Sequence, residues 1–151
     1  MKSLVVLVAI AGSAHADRPL HGSVGVGGSL LLTGDTGDKL RADVEVDVEP
    51  YSRFGGLVAL RGFDDNHRGL LCGGLIYEAA AARPRLVIDM HADLGADLDA
   101  RAPLVGGGLR IVLTIIGPLA VSYDGGFYLV IDGVDNTRLV TSGALELVAR
   151  W

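Results

Sequence analysis

Two long segments of the chain alternate strictly between polar and apolar positions. Residues 39–49, read KLRADVEVDVE, place charged side chains at odd positions and aliphatic side chains at even positions without a break. Residues 85–99, read RLVIDMHADLGADLD, alternate in the same way, and only Val87 and Gly95 weaken the polar face. A period of two indicates a β-strand with one polar and one apolar face. Each segment is at least about twice as long as an average strand of a globular protein.

The rest of the chain contains six further strand candidates. The first lies near residues 20–30 and the last near residues 141–151, both with a weaker alternation. Four less regular candidates, whose orientation the pattern leaves open, cover residues 55–64, 69–80, 104–116 and 119–131. Segments rich in Gly, Asp, Asn and Pro separate the candidates and predict turns near residues 34–38, 64–69, 82–84, 99–103, 117–118 and 132–137. The count predicts an all-β fold, an eight-stranded antiparallel up-and-down barrel.

The first sixteen residues have the order of a secretory signal peptide. Lys2 provides a positive charge, residues 4–11 are a short apolar run, and Ala14-His15-Ala16 is a small-residue cleavage site. We therefore expect cleavage after Ala16, and residues 17–151 as a single β-barrel domain. The chain has one cysteine, Cys72, so no internal disulfide stabilises the exported domain.

Hydrophobicity and strand length together suggest a membrane environment. Half of the residues are hydrophobic and the mean hydropathy is +0.42, yet the longest apolar candidate for a helix, residues 111–121, is interrupted by Gly117 and Pro118. Strands of about 9 to 11 tilted residues cross a bilayer, which favours a transmembrane β-barrel with aliphatic faces toward lipid. The alternative is a soluble periplasmic β-barrel with its aliphatic faces inward, binding a small apolar ligand. Alternation alone is the same in both.

The end of the chain distinguishes the two interpretations. Apolar side chains of one parity precede an aromatic last residue, as Leu145, Leu147, Ala149 and Trp151. This ending resembles the C-terminal assembly signal of outer-membrane β-barrels. With the export signal, the whole chain resembles the small eight-stranded outer-membrane barrels of the OmpA and OmpX class. The resemblance implies the outer membrane of a Gram-negative bacterium, contact with lipid and lipopolysaccharide, insertion by the barrel-assembly machinery, and a monomer with both chain ends in the periplasm.

One feature departs from that class, because aromatic residues are only 5% of the chain where such barrels have two aromatic girdles. Strand parity allows one sparse girdle on the periplasmic side, made of Tyr51, Phe54, Tyr77 and Trp151.

The polar faces predict a charged lumen, because an eight-stranded barrel is just wide enough for side chains to fill it. The predicted lumen charge network is Arg41, Asp43, Glu45, Asp47, Asp89, His91, Asp93, Arg110, Glu146 and Arg150. Acidic residues outnumber the arginines that can neutralise part of this set, which are Arg41, Arg61, Arg110 and Arg150. We therefore expect a net acidic interior that acts either as a structural plug or as a narrow cation-preferring, porin-like pore. The missing side chains of Gly25 and Gly27 would widen such a pore.

Other kinds of chemistry have weaker support. Asp89, His91 and Asp93 share one strand face, but no third protein ligand is evident for a catalytic metal, and we predict no metal and no cofactor. The chain has no G-x-S-x-G motif, which favours a non-enzymatic protein. The net charge of −5 argues against nucleic-acid binding. The sequence therefore predicts a structural or membrane-integrity role.

Overall fold

The computed structural model describes residues 21–32, 40–49, 53–82, 85–133 and 136–151. The predicted signal peptide, Lys39 and Tyr51 lie outside the described residues. Within these ranges the chain forms eight strands: β1 (His21–Leu32), β2 (Leu40–Glu49), β3 (Phe54–Phe63), β4 (Leu70–Ala82), β5 (Leu86–Asp97), β6 (Ala102–Ile116), β7 (Leu119–Ile131) and β8 (Thr137–Arg150). None of the described segments is a helix of the length and apolar character needed to cross a membrane.

The strands form one closed antiparallel barrel. Each strand pairs with its neighbour in sequence, and β8 closes the sheet against β1. Following the paired residues once around from Gly22 leads back to Leu32, ten residues further along β1. This stagger requires strands tilted by about 35–45° to the barrel axis. The predicted all-β up-and-down barrel of eight strands is confirmed, and the first seven strands differ from their predicted limits by no more than two residues at either end.

An even number of strands brings both ends of the chain to one end of the barrel, which we call the terminal end. The β1–β2, β3–β4, β5–β6 and β7–β8 connections lie at the opposite, distal end. The predicted strand over residues 85–99 ends earlier, at Asp97, because the Asp97 carboxylate accepts hydrogen bonds at 2.9 Å from the N–H groups of Asp99 and Ala100. This local bonding turns the chain, since an Asx side chain offers the backbone an alternative to the sheet.

The two faces of the strands have opposite environments. Along β5, Asp89 and Asp93 are 1% and 2% exposed, while Met90 and Leu94 are 51% and 69% exposed. The polar parity therefore faces the lumen and the aliphatic parity covers the outer surface. A soluble barrel with its aliphatic side chains inside, the alternative interpretation of the sequence, requires the opposite orientation and does not fit.

The lumen is divided along its length. Toward the distal end, and along the β3–β4 wall as far as Leu57 beside Asp47 and Ile76 beside His91, it is filled by buried side chains. We call them the distal apolar cluster: Leu31, Leu57, Ala59, Leu70, Cys72, Ile76, Ala102, Leu104, Tyr128, Val130 and Val140. Cys72, which the sequence could not place, is a buried member of this cluster. At the terminal end, a cavity of about 310 Å³ is bordered by Ser23, Asp47, Glu49, Arg110 and Arg150, among others.

Candidate functional site

A layer of charged side chains lies between the distal apolar cluster and the terminal cavity. Its members are almost fully buried and come from the inward faces of six strands: Asp43, Glu45 and Asp47 of β2, Arg61 of β3, Asp89, His91 and Asp93 of β5, Arg110 of β6, Asp124 of β7 and Glu146 of β8. Burying an ion costs several kcal/mol unless it is paired and hydrogen-bonded. The ion pairs within this layer therefore determine which of its charged groups are compensated inside the protein.

Arg110 joins carboxylates from two opposite walls of the barrel. Its Nη1 atom lies 2.5 Å from Glu45 Oε1 and 2.6 Å from Asp47 Oδ2. On the other side, its Nε and Nη2 atoms donate to Asp89 Oδ2 at 3.2 and 3.0 Å, as the direct pairing of Asp89 with Arg110 between β5 and β6 allows. One guanidinium thus contacts three carboxylates.

Arg61 and His91 extend these contacts around the lumen. Arg61 Nη2 donates to Glu45 Oε2 at 2.7 Å and to Asp124 Oδ2 at 3.0 Å, so Glu45 bridges the two arginines. His91 Nε2 lies 3.3 Å from Asp124 Oδ2, and His91 Nδ1 lies 2.7 Å from Asp93 Oδ2. The result is one continuous network, which ties β2, β3, β5, β6 and β7 together through side chains as well as through the sheet.

No protein-family profile matches the chain, and no curated protein matches it. Among solved structures, the chain is similar to Neisserial surface protein A, with a TM-score of 0.50 and 9% identity over 87% of this chain and 95% of that one. It is also similar to Ail, the attachment invasion locus protein of Yersinia pestis, with a TM-score of 0.44 and 11% identity over 87% of this chain and 97% of that one. The fold is that of a small outer-membrane β-barrel.

This outer-membrane β-barrel fold places two of the predicted lumen residues away from the central network. Arg41 lies toward the distal rim, where its Nε atom is 3.5 Å from Asp64 Oδ2. Arg150 is half-buried beside the cavity at the terminal end. The other eight predicted residues lie in the charged layer.

Short-range bonds organise the distal rim of the barrel. Asp64 accepts a hydrogen bond at 2.7 Å from the N–H of Asn66 and another at 2.9 Å from that of His67. The bond from Asn66, with those from His67, lowers the pKa of the Asp64 carboxyl group. Arg138 pairs with Asp97 across the rim. These bonds fix the connections in short, polar turns.

Asp89, His91 and Asp93, the trio considered as metal ligands from the sequence, do not converge on one point. Asp89 contacts Arg110, whereas His91 and Asp93 contact each other. Among the residues that the structure describes, no three His, Cys, Asp or Glu side chains form a group suited to a metal ion. This strand face is used for ion pairing within the barrel.

The predicted assembly residues lie on the outer surface of β8. Leu145 and Leu147 are exposed, and Trp151 continues the sheet by donating its N–H to the Gly22 carbonyl at 3.1 Å. Phe54 and Tyr77 of the predicted girdle stack near the same end, with ring centroids 4.8 Å apart. The role of β8 in assembly stays a prediction.

Two members of the site were missed from the sequence, Asp124 and Tyr128. Tyr128 donates its hydroxyl to Asp93 Oδ2 at 3.2 Å, and Asp124 links Arg61 to His91. The signal was present as Ala120, Ser122, Asp124, Gly126 and Tyr128 on one parity of β7. The opposite parity of β7 holds Tyr123 beside aliphatic residues, so the contrast between its two faces was too weak to orient it.

Proposed function

We propose that this protein is exported and spans the outer membrane of a Gram-negative bacterium as a non-enzymatic structural barrel that supports membrane integrity. The observation that carries the proposal is the outer surface. Large aliphatic side chains cover it on all eight strands, for example Val26, Leu40, Val58, Leu75, Leu94, Leu109, Leu129 and Leu147. An exposed apolar surface of this extent requires a nonaqueous partner. A closed barrel can lie in lipid because its strands form their backbone hydrogen bonds with one another and leave no open sheet edge.

The filled lumen supports a structural role over conduction. The distal apolar cluster contains residues of β1, β3, β4, β6, β7 and β8, and its members are all buried. Water and ions would have to displace these packed side chains to cross. The cavity at the terminal end reaches the charged layer but stops below this cluster. The ionic network below adds cross-barrel ties that hold the strands in register.

A narrow cation-preferring pore is the second candidate, because the charged layer has an excess of carboxylates. Seven buried carboxylates face two arginines and one histidine there. Such an interior would attract cations if the distal apolar cluster opened.

The ends of the barrel suggest how it would meet its surroundings. We place the terminal end in the periplasm, so that Asp64, Asp65, Asp99 and Asp132 lie outside the cell near the lipopolysaccharide headgroups, where divalent cations could link them to phosphate groups. The distal turns are too small for a standard protein interface of about 800 Å² per partner. We expect a monomer whose main partner is lipid.

Membrane location is tested by fractionating cells and running the envelope on a gel with and without boiling. The expected protein pellets with the outer membrane, lacks residues 1–16, and migrates faster unboiled because the closed barrel resists detergent. A protein that is soluble and monomeric without detergent would refute the proposal.

Conduction is tested by reconstituting the purified protein in planar bilayers. A structural barrel gives no channel events over many confirmed insertions, whereas cation-selective steps would establish the pore.

A further inference from the structure

Two carboxylates of the charged layer have no part in the ionic network. Asp43 of β2 and Glu146 of β8 are both paired in register with the same residue of β1, Gly27. They therefore approach each other from the two sides of β1, and they are 1% and 2% exposed. The inward positions of β1 at this level are Gly25 and Gly27, so no side chain separates them. A Cβ atom on Gly25 would lie 2.7 Å from Glu146 Oε2, which places that carboxylate directly over β1.

The cations of the lumen are bound to other partners. Among the described residues, no ion pair within 4.0 Å connects Asp43 or Glu146 to a basic side chain, whereas Glu45, Asp47, Asp89, Asp93 and Asp124 all have one. Arg61 is the residue opposite Asp43 on β3, but its Nη2 atom is directed at Glu45 and Asp124, and its Nε and Nη1 atoms make no hydrogen bond to Asp43 or to any other described residue. Glu146 Oε2 accepts one hydrogen bond, at 2.8 Å from Ser122.

The oxygen atoms around this pair lack protein partners. Both carboxylate oxygens of Asp43 and the Oε1 atom of Glu146 make no hydrogen bond within the described structure. Ser29, the next inward residue of β1 beyond Gly27, is fully buried, and its Oγ atom is also without a hydrogen-bond partner. Asp43 interacts with the charge of Arg61 and with the side chains of Glu146 and Ser29. Buried polar atoms without partners are rare in folded proteins, and each requires an explanation.

We propose that a hard divalent cation of the Ca²⁺ kind binds in the lumen between Asp43 and Glu146, with the Ser29 hydroxyl as a neutral ligand. The donor set consists of oxygen atoms alone, which suits Ca²⁺ and excludes the nitrogen and sulfur ligands that Zn²⁺ prefers. One divalent ion carries the charge that matches these two carboxylates, which have no basic side chain within 4.0 Å among the described residues. Ca²⁺ tolerates irregular coordination, whereas Mg²⁺ requires near-octahedral geometry, so Ca²⁺ is the favoured occupant.

The ion reaches this position from the terminal end. The cavity there is lined by Ser23 and by two members of the charged layer, Asp47 and Arg110. The opposite route is closed by the distal apolar cluster. The bound ion joins β2 to β8 across β1, and so spans the β1–β8 seam that closes the barrel.

Calcium binding is measured by equilibrium dialysis with the purified protein folded in zwitterionic detergent and stripped with EGTA. We expect one Ca²⁺ per barrel. Asp43→Asn and Glu146→Gln should each weaken binding by more than the roughly 10- to 100-fold that loss of an outer-shell partner costs. The matched control is Glu78→Gln, which removes a half-buried carboxylate of β4 outside this site and should bind as the original protein does. The shift in gel mobility on boiling verifies that each variant is folded.

A second readout keeps the test independent of the variants. Adding Ca²⁺ to the stripped original protein should raise the temperature at which the unboiled gel form disappears, and Mg²⁺ or K⁺ at equal ionic strength should raise it less. Absence of stoichiometric Ca²⁺ binding in the original protein, or unchanged binding in a folded Asp43→Asn, Glu146→Gln double variant, would overturn the proposal and leave a shared proton as the explanation. All of these measurements are made in detergent, so they do not depend on the membrane role.

Discussion

Arg110 is the residue on which most of the lumen depends. Its guanidinium contacts Glu45, Asp47 and Asp89 at 2.5 to 3.0 Å, in a layer with little access to water. Lys would supply one point charge, whereas the planar fork of Arg addresses carboxylates on both sides at once. The stability of the layer therefore rests on the geometry of this side chain as well as on its charge.

Replacing Arg110 by Met keeps the apolar stem and removes the charge. We expect a loss of about 3–5 kcal/mol in the free energy of unfolding, because Asp47 and Asp89 are left buried without a basic partner and Glu45 keeps only Arg61. Arg138→Met is the control: it removes an exposed arginine that pairs with Asp97, and should cost no more than about 1 kcal/mol. Urea unfolding in lipid vesicles, followed by the fluorescence of the single tryptophan, measures both. Equal losses would mean that the network does not stabilise the barrel.

At the residue scale, the sequence predicted the site where the two strand faces differ sharply. Asp43, Glu45 and Asp47 alternate with valines, so their common direction was evident. Asp124 was missed because β7 is rich in glycine and carries aromatic residues on both faces. The partners within the layer could not be predicted either, since Glu45 and Arg110 are 65 positions apart and meet only after the barrel closes.

At the scale of strands, length and alternation gave the number of elements and nearly all of their limits. They did not predict where the pairing register between neighbouring strands shifts. These shifts lie between Ala42 and Asp43, between Glu78 and Ala80, and between Thr114 and Ile116. A bulge adds one residue to a strand and leaves its composition unchanged. The close approach of β1 to β8 was also hidden, although glycines within a strand often mark such an approach.

A substitution at Gly27 tests how much stability depends on the short distance between β1 and β8. A Cβ atom there would lie 2.6 Å from the Cα atom of Glu146, so Gly27→Ala must displace β8 and should cost about 1–3 kcal/mol, as other overpacked sites do. Gly56→Ala is the matched control, because its Cβ would meet only the Gly74 carbonyl oxygen, at 3.8 Å, and should change stability by about 0.5 kcal/mol or less. The same urea titration compares the two. A barrel that tolerates both substitutions equally would show that β1 and β8 can separate without cost.

At the scale of the whole molecule, the barrel has its polar residues inside and its aliphatic residues outside. The sequence could not decide this from the strands alone, because each alternating strand reads the same when turned over. Closure decides it, since the lumen of eight strands holds a limited volume and the ion pairs fill its centre while Leu71, Leu75 and their equivalents remain outside.

A fluorescent label tests which face meets lipid. In a Cys72→Ala background, bimane attached to Leu75→Cys should be quenched by phospholipids carrying a doxyl group in the acyl chain and protected from aqueous iodide. Leu75 is 71% exposed on the outer surface. Label on Asp132→Cys, in the exposed β7–β8 turn, should respond in the opposite way. Iodide quenching at position 75 without lipid quenching would place this face in water.

The pairing of the first strand with the last affects how the chain can be made. Until β8 pairs with β1, both β1 and the most recently formed strand are edge strands with unpaired N–H and C=O groups. Such edges can pair with strands of other chains and cause aggregation. A partial barrel cannot pair these edges, because the strand that covers β1 is the last one in the chain, as the hydrogen bonds between Gly22 and Trp151 show. On the proposed export route, new copies must therefore be kept apart until the whole sheet has been synthesised and translocated. The risk of aggregation then grows with the number of copies in transit rather than with the stability of the finished barrel.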